Sequence, residues 1–198
     1  MIGRGFWAGL VFGAGAMGLL GQWGSAVAGK EVGQAPCIEA GLVAEYLHSV
    51  IQADRTFYTT DVVERMQIRG IAFAAENWRE TSRLPLPAQY LLETGRLVAS
   101  GRSGLQYRLI SQWAINNKNR PSSDFERAGL TEILLNPDRP YTAVTTNGRT
   151  RIFQAIYADK AASQSCVGCH NAHPNSPKKD FKPHDVMGGI LLTIPLSH

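Results

Sequence analysis

The sequence predicts an α+β domain in which helices come first and a mostly antiparallel sheet with one inserted helix follows. Three observations carry this prediction. Ile38, Leu42, Val43, Tyr46, Leu47, Val50 and Ile51 fall on one helical face. Tyr141 to Thr146 and Thr150 to Asp159 are β-prone runs on either side of Asn147-Gly148-Arg149, and Asn-Gly tolerates the positive φ of a hairpin turn. Gly188 to Leu196 is apolar and β-prone, as suits a last strand.

Taken in order, the first helix runs from Ile38 to about Ala53. A second covers Asp61 to Ile68, with Asp61 placed to cap it. Leu84-Pro85-Leu86-Pro87 is a break. A helix from about Ala88 to Ala99 follows, and Gly101 to Gly104 ends it. Leu105 to Ile115 mixes Tyr, Leu, Ile and Trp with polar residues and reads as a strand. Asn116 to Ser123 is a polar loop. Asp124 to Leu135 is the inserted helix, stopped by Asn136-Pro137. After the hairpin, residues 160 to 184 read as loop. The chain shows no internal repeat and no low-complexity tract.

Composition narrows the function classes. Hydrophobic residues make up 44% and charged residues 18%, enough to bury a core and too apolar for a disordered chain. The net charge of +4 is modest, and no dense Lys/Arg run points to a nucleic-acid partner. The N-terminus reads as an export signal. Arg4 supplies a basic start, Phe6 to Leu20 is uncharged, and Ala26-Val27-Ala28 matches the small-x-small cleavage pattern. Residues 1–28 are therefore expected to be a cleaved signal peptide and 29–198 the functional domain. The competing reading is an uncleaved anchor, but the stretch is Gly-rich and ends in a cleavage site. No other stretch is suited to crossing a bilayer.

Cys166-Val167-Gly168-Cys169-His170 is a C-x-x-C-H sequence. Its spacing suits covalent haem. Two thiols two residues apart reach the same porphyrin edge, and the next residue lies under the ring, where a neutral imidazole can bind iron. One motif implies one haem c. A redox dithiol or half of a zinc site could share the C-x-x-C pattern, with His173 and His184 as further zinc ligands. The dithiol reading lacks its usual βαβ context.

The sixth iron position is open in the sequence, with Cys37, Met66, Met187, His48, His173 and His184 as candidates. Cys37 has the strongest case. An odd exported cysteine needs a duty. It stands at the start of the first helix, where the macrodipole favours a thiolate. Gly41 and Ala44 continue its face with small side chains. His48 is about 16 Å further along the axis, so Cys37 and His48 exclude each other as ligands of one iron.

The haem motif, the run Gly188-Gly189-Ile190-Leu191-Leu192 through Pro195, and the Ser111 to Glu126 stretch with Asn116, Arg120-Pro121 and Phe125-Glu126 together resemble a family of single-haem proteins with a PAS-like fold. The chain is most similar to its stand-alone cyanobacterial c-type members. That resemblance implies a PAS-like antiparallel sheet with N-terminal helices and an inserted helix. It also implies axial ligation by His170 and Cys37. Asn171-Ala172-His173 departs from the small residue expected directly after the motif, which bears on loop shape.

Other features are weaker. Lys178, Lys179 and Lys182 suit either an acidic redox partner or a solvated loop. Trp78, Trp113, Tyr107, Phe153 and Tyr157 suit either a pocket or ordinary core. No nucleophile elbow and no phosphate-binding glycine loop is present. The expected function is therefore non-enzymatic: an exported monohaem protein of the periplasm or thylakoid lumen, in redox sensing or low-potential electron transfer. Its partner would be a redox or signalling protein, with no nucleic acid and no stable membrane span after signal cleavage. A thiolate ligand favours ferric iron and lowers the potential. The alternative is a gas- or peroxide-responsive haem with a displaceable sixth ligand.

Overall fold

The computed structural model describes residues 37–148 and 150–196. The expected export segment, residues 1–28, lies outside the described residues. Among the described residues no helix is long and apolar enough to cross a membrane.

The helical half is one long rod and a second helix. α1 spans Ala40–Phe57 and runs on through a π-helical stretch, Tyr58–Glu64, into α2, Arg65–Ile68. The predicted break before Asp61 is absent, because Phe57, Tyr58, Glu64 and Arg65 all keep right-handed helical dihedrals. Threonines make the widened turn tenable. Thr59 Oγ1 donates to the Arg55 carbonyl at 2.7 Å, and Thr60 Oγ1 donates to the Thr56 carbonyl at 3.1 Å. Asp61 therefore sits inside the rod and caps nothing. The rod ends at Gly70, whose φ of +68° lets its N–H reach the Gln67 carbonyl while Ile71 N–H reaches Met66. α3, Trp78–Thr81, is one turn. α4, Pro87–Ala99, starts on a proline that needs no donor, and Gln89 Oε1 accepts from Leu86 N–H at 3.0 Å.

Four antiparallel strands follow: β1, Gln106–Ile110; β2, Tyr141–Asn147; β3, Thr150–Lys160; and β4, Val186–Pro195. Their order across the sheet is β1-β4-β3-β2. α5, Asp124–Leu135, carries the chain from the β1 edge to the β2 edge. The architecture is thus the expected α+β, an antiparallel sheet with helices before it and one inserted. The β2–β3 hairpin closes at Asn147↔Thr150 with Gly148 at φ +61°. The first strand is shorter than its composition suggested. It stops at Ile110 because Ser111 turns the chain, donating from Oγ to the Met187 carbonyl at 2.7 Å and accepting from Trp113 N–H at 3.0 Å. Ser123 caps α5, and the buried Glu126 accepts from Ser122 N–H and from Arg108 of β1 at 2.6 Å, which ties helix to strand.

Both faces of the sheet are covered. Ala44 of α1 packs on Phe153, Ala155, Tyr157 and Leu192, while Leu91 of α4 packs on Leu109 and Ile190. On the other face Leu130 and Ile133 of α5 pack on Ile110, Ile156 and Leu191. The Gly188-Gly189 pair is steric in origin. A Cβ at Gly188 would lie 2.5 Å from the Ile110 carbonyl oxygen, and one at Gly189 would lie 2.7 Å from Ile156 Cγ2. Only glycine lets β4 sit this close to its neighbours.

Candidate functional site

The C-x-x-C-H motif lies on a helix, α6, Gln164–Ala172, where the sequence read as loop. The helix is short and buries one residue, Val167, so it offers no periodicity to detect. Ser163 caps it, accepting from Cys166 N–H at 3.4 Å. Val167 packs with Ala161, Phe181 and Met187, with Trp113 and Cys166 beside them, and this cluster fixes α6 at the end of the sheet.

Helical geometry decides what the motif presents. Cys166, Cys169 and His170 stand at i, i+3 and i+4, so two thiols and one imidazole share a face. Cys169 is exposed and Cys166 half-buried. Although the residue as a whole is exposed, partial desolvation of its sulfur raises the Cys169 thiol above its ordinary range, and the nearby Glu76 and Cys166 add to this. The His170 ring stands edge-on to Phe181, with centroids 5.8 Å apart. Its Nδ1 is buried with no hydrogen-bond partner among the described residues. Burial holds the His170 pKa below its usual value, and the charges of His173 and Arg55 act in the same direction. The imidazole is therefore held neutral, the form that binds metal ions.

The surroundings hold residues that sequence reasoning did not single out. Arg55 of α1 and Asp159 of β3 form an ion pair with side chains each 9% exposed. Arg55 Nε has no acceptor among the described residues. Asp159 lies four residues before the α6 cap, and Arg55 is close enough for its charge to act on both Cys166 and His170. The π-helical stretch begins three residues after Arg55. Asn171 locks the far side of the helix, donating from Nδ2 to the Phe181 carbonyl at 2.9 Å and accepting from Phe181 N–H at 3.0 Å. This explains why asparagine follows the motif where a small residue was expected. His173 Nε2 lies 3.0 Å from Glu76 Oε1, joining the α6 C-terminus to the segment before α3.

The Tll0287-like family model matches residues 36–195, the span from just before Cys37 to the end of β4. The chain belongs to the Tll0287-like family. A crystal structure of the cyanobacterial heme-protein Tll0287 is similar to it at 12% identity, with a TM-score of 0.49 over 81% of this chain and 98% of that one. No curated protein matches the chain.

Within this Tll0287-like chain the remaining predicted site residues are spread apart. Cys37 is exposed and precedes α1 by three residues. α1 lies along β3, with Ala44 on Phe153 and Ala155, His48 stacked on Tyr157 at 4.0 Å, and Arg55 on Asp159 next to α6. From Ala40 to Arg55 the helix rises about 22 Å. Cys37 is therefore at the end of α1 away from α6, and the structure does not bring it to His170. His48 lies between the two ends; its Nε2 is buried without a partner among the described residues. Met66 is half-buried on α2, and Met187 belongs to the cluster under α6. His184 is exposed, at φ +70°. Among the described residues no three His, Cys, Asp or Glu side chains converge as a metal cage, so the zinc set with His173 and His184 is not assembled. Phe153 and Tyr157 are core of the α1 face, and Trp113 packs beside Val167. Lys178 is paired with Asp180 and lies 4.9 Å above the Phe181 ring.

Proposed function

We propose that this Tll0287-like chain is an exported protein that carries one covalently bound haem c and acts in redox sensing or low-potential electron transfer. The observation that carries the reading is the shared face of α6. Cys166, Cys169 and a neutral His170 stand within one helical turn, on a helix pinned by Val167 and Asn171. These residues fit a tethered haem. Each thiol adds its sulfur and hydrogen across one vinyl group, so a carbon–sulfur bond forms with no change in electron count. The His170 lone pair is free to bind iron because burial keeps the ring unprotonated. Phe181, Val167 and Met187 keep water from one side of the helix. The bound group would supply one-electron chemistry between ferric and ferrous iron. The reading includes export of residues 29–198 to the periplasm or thylakoid lumen, supported by the segment 1–28, and a protein redox or signalling partner.

The family resemblance supports Cys37 as the second axial ligand. A second reading has a specific observation in its favour: Cys37 is exposed at the end of α1 away from α6. In that reading the sixth position is open or weakly held, and the protein answers to a gas or peroxide. Low-temperature electron spin resonance of the ferric protein separates the two. If Cys37 binds iron, a thiolate-type low-spin signal is present in the wild type and lost in Cys37→Ser. An identical spectrum in both proteins, with carbon monoxide binding to the reduced form, supports the second reading instead.

A further inference from the structure

Arg55 is buried, charged and incompletely satisfied. One terminal nitrogen, Nη1, engages Asp159. The Nε–H, in the same buried setting, meets no acceptor among the described residues. An ion pair tying α1 to β3 accounts for the first contact and leaves the second unexplained. A buried donor without an acceptor costs free energy, and a guanidinium donor more than a neutral one. Such a group calls for an explanation, and one explanation is an acceptor that arrives with a bound molecule. Here the neighbour is α6: Asp159 stands four residues before its cap, and Cys166 packs in the cluster beside it. The rod also widens into its π-helical stretch just past Arg55, a distortion found disproportionately at functional sites.

We propose that Arg55 is an anion-binding residue of the α6 site, its Nε–H held by Asp159 for an anion that comes with the cofactor. This rests on the haem reading above. A haem brings acceptors of this class in two places: its propionate carboxylates, and any anion bound to its iron. Arginine suits both, since its fork can give one edge to Asp159 and another to the anion.

The test uses the haem-loaded full chain as wild type, Arg55→Lys and Arg55→Gln. Lysine keeps the charge for Asp159, and so the tie between α1 and β3, but has no Nε–H. Two readouts separate the sources: the resonance Raman propionate-bending band, and azide affinity of the ferric protein. A shifted band in Arg55→Lys with unchanged azide binding assigns the anion to a propionate. An azide affinity lower by about tenfold with an unmoved band assigns it to the iron. A deuterated-water shift of the propionate band that is present in the wild type and reduced in Arg55→Gln supports the first source, and Arg55→Gln serves as the second variant should Arg55→Lys fail to fold. Covalent haem in all three proteins with neither readout changed, and no deuterium shift that depends on Arg55, would overturn the proposal. A wild type that binds no haem would overturn the preceding reading first, and this one with it.

Discussion

Removing Asp159 should be among the most damaging single changes outside the motif. In Asp159→Ala the Arg55 guanidinium stays at 9% exposure with its counter-ion gone. Breaking a buried pair from one side costs about 3–5 kcal/mol, because a charge is left in a medium that solvates it poorly. That is a large part of the roughly 5–15 kcal/mol that holds a domain of this size together. The assay is urea unfolding followed by far-UV circular dichroism, on variants in the same loading state. With a slope of about 2 kcal/mol per molar, the midpoint should fall by roughly 1.5–2.5 M with the slope unchanged. Replacing both charges, as Arg55→Met with Asp159→Leu, should recover most of the loss, since the uncompensated charge is removed. A fall of under 0.5 M in Asp159→Ala would show that water reaches Arg55 and would remove the premise of a buried, poised guanidinium.

Other outcomes follow from local contacts. Burial lowers the His48 pKa below its ordinary 6.5, so the unfolded chain takes up a proton before the folded one does. The stabilisation is complete above the unfolded value and drains away as pH falls below it. His48→Phe should flatten that part of a stability–pH curve, and an unchanged curve would contradict it. Asn171→Ala removes both hydrogen bonds to the Phe181 backbone and should cost about 1–3 kcal/mol by denaturant titration. It should also speed hydrogen exchange at Phe181 N–H. Gly189→Ala places a methyl 2.7 Å from Ile156 Cγ2 of β3 and 3.0 Å from Ile133 Cδ1 of α5 and should destabilise by about 1–3 kcal/mol through overpacking between the sheet and α5. A melting temperature equal to wild type would show that α5 can yield.

What the sequence made legible follows from how local each signal is. α5 is legible from Asp124 to Leu135 because Asn136-Pro137 stops it directly after the pattern, and the structure adds a cap at Ser123. The hairpin is legible from Asn147-Gly148 and the β-prone runs on either side, which pair in register from Tyr141↔Ile156 to Asn147↔Thr150. The long rod was cut in two because Arg55, Thr56, Thr59 and Thr60 interrupt the apolar stripe. Their role, threonine bonds to carbonyls and a buried pair with β3, is set by tertiary contacts. α6 went unread because a nine-residue helix with one buried side chain carries no stripe. The C-x-x-C-H motif was legible without it, and the helix then puts Cys166, Cys169 and His170 on one side. Arg55 and Asp159 are 104 residues apart and became a pair only in three dimensions. The one clue lay in the acid closing the apolar run of β3. The segment 1–28, on which export rests, lies outside the described residues.

Intact-mass analysis of the purified, acid-denatured protein, made with the haem maturation machinery, bears most directly on the whole account. The chain should begin at Gly29, be heavier by one haem, and stay coloured after acid–acetone extraction. Cys166→Ala with Cys169→Ala should return the bare mass. A wild type that loses its colour in acetone and weighs no more than its polypeptide would contradict the covalent haem, and with it the redox role.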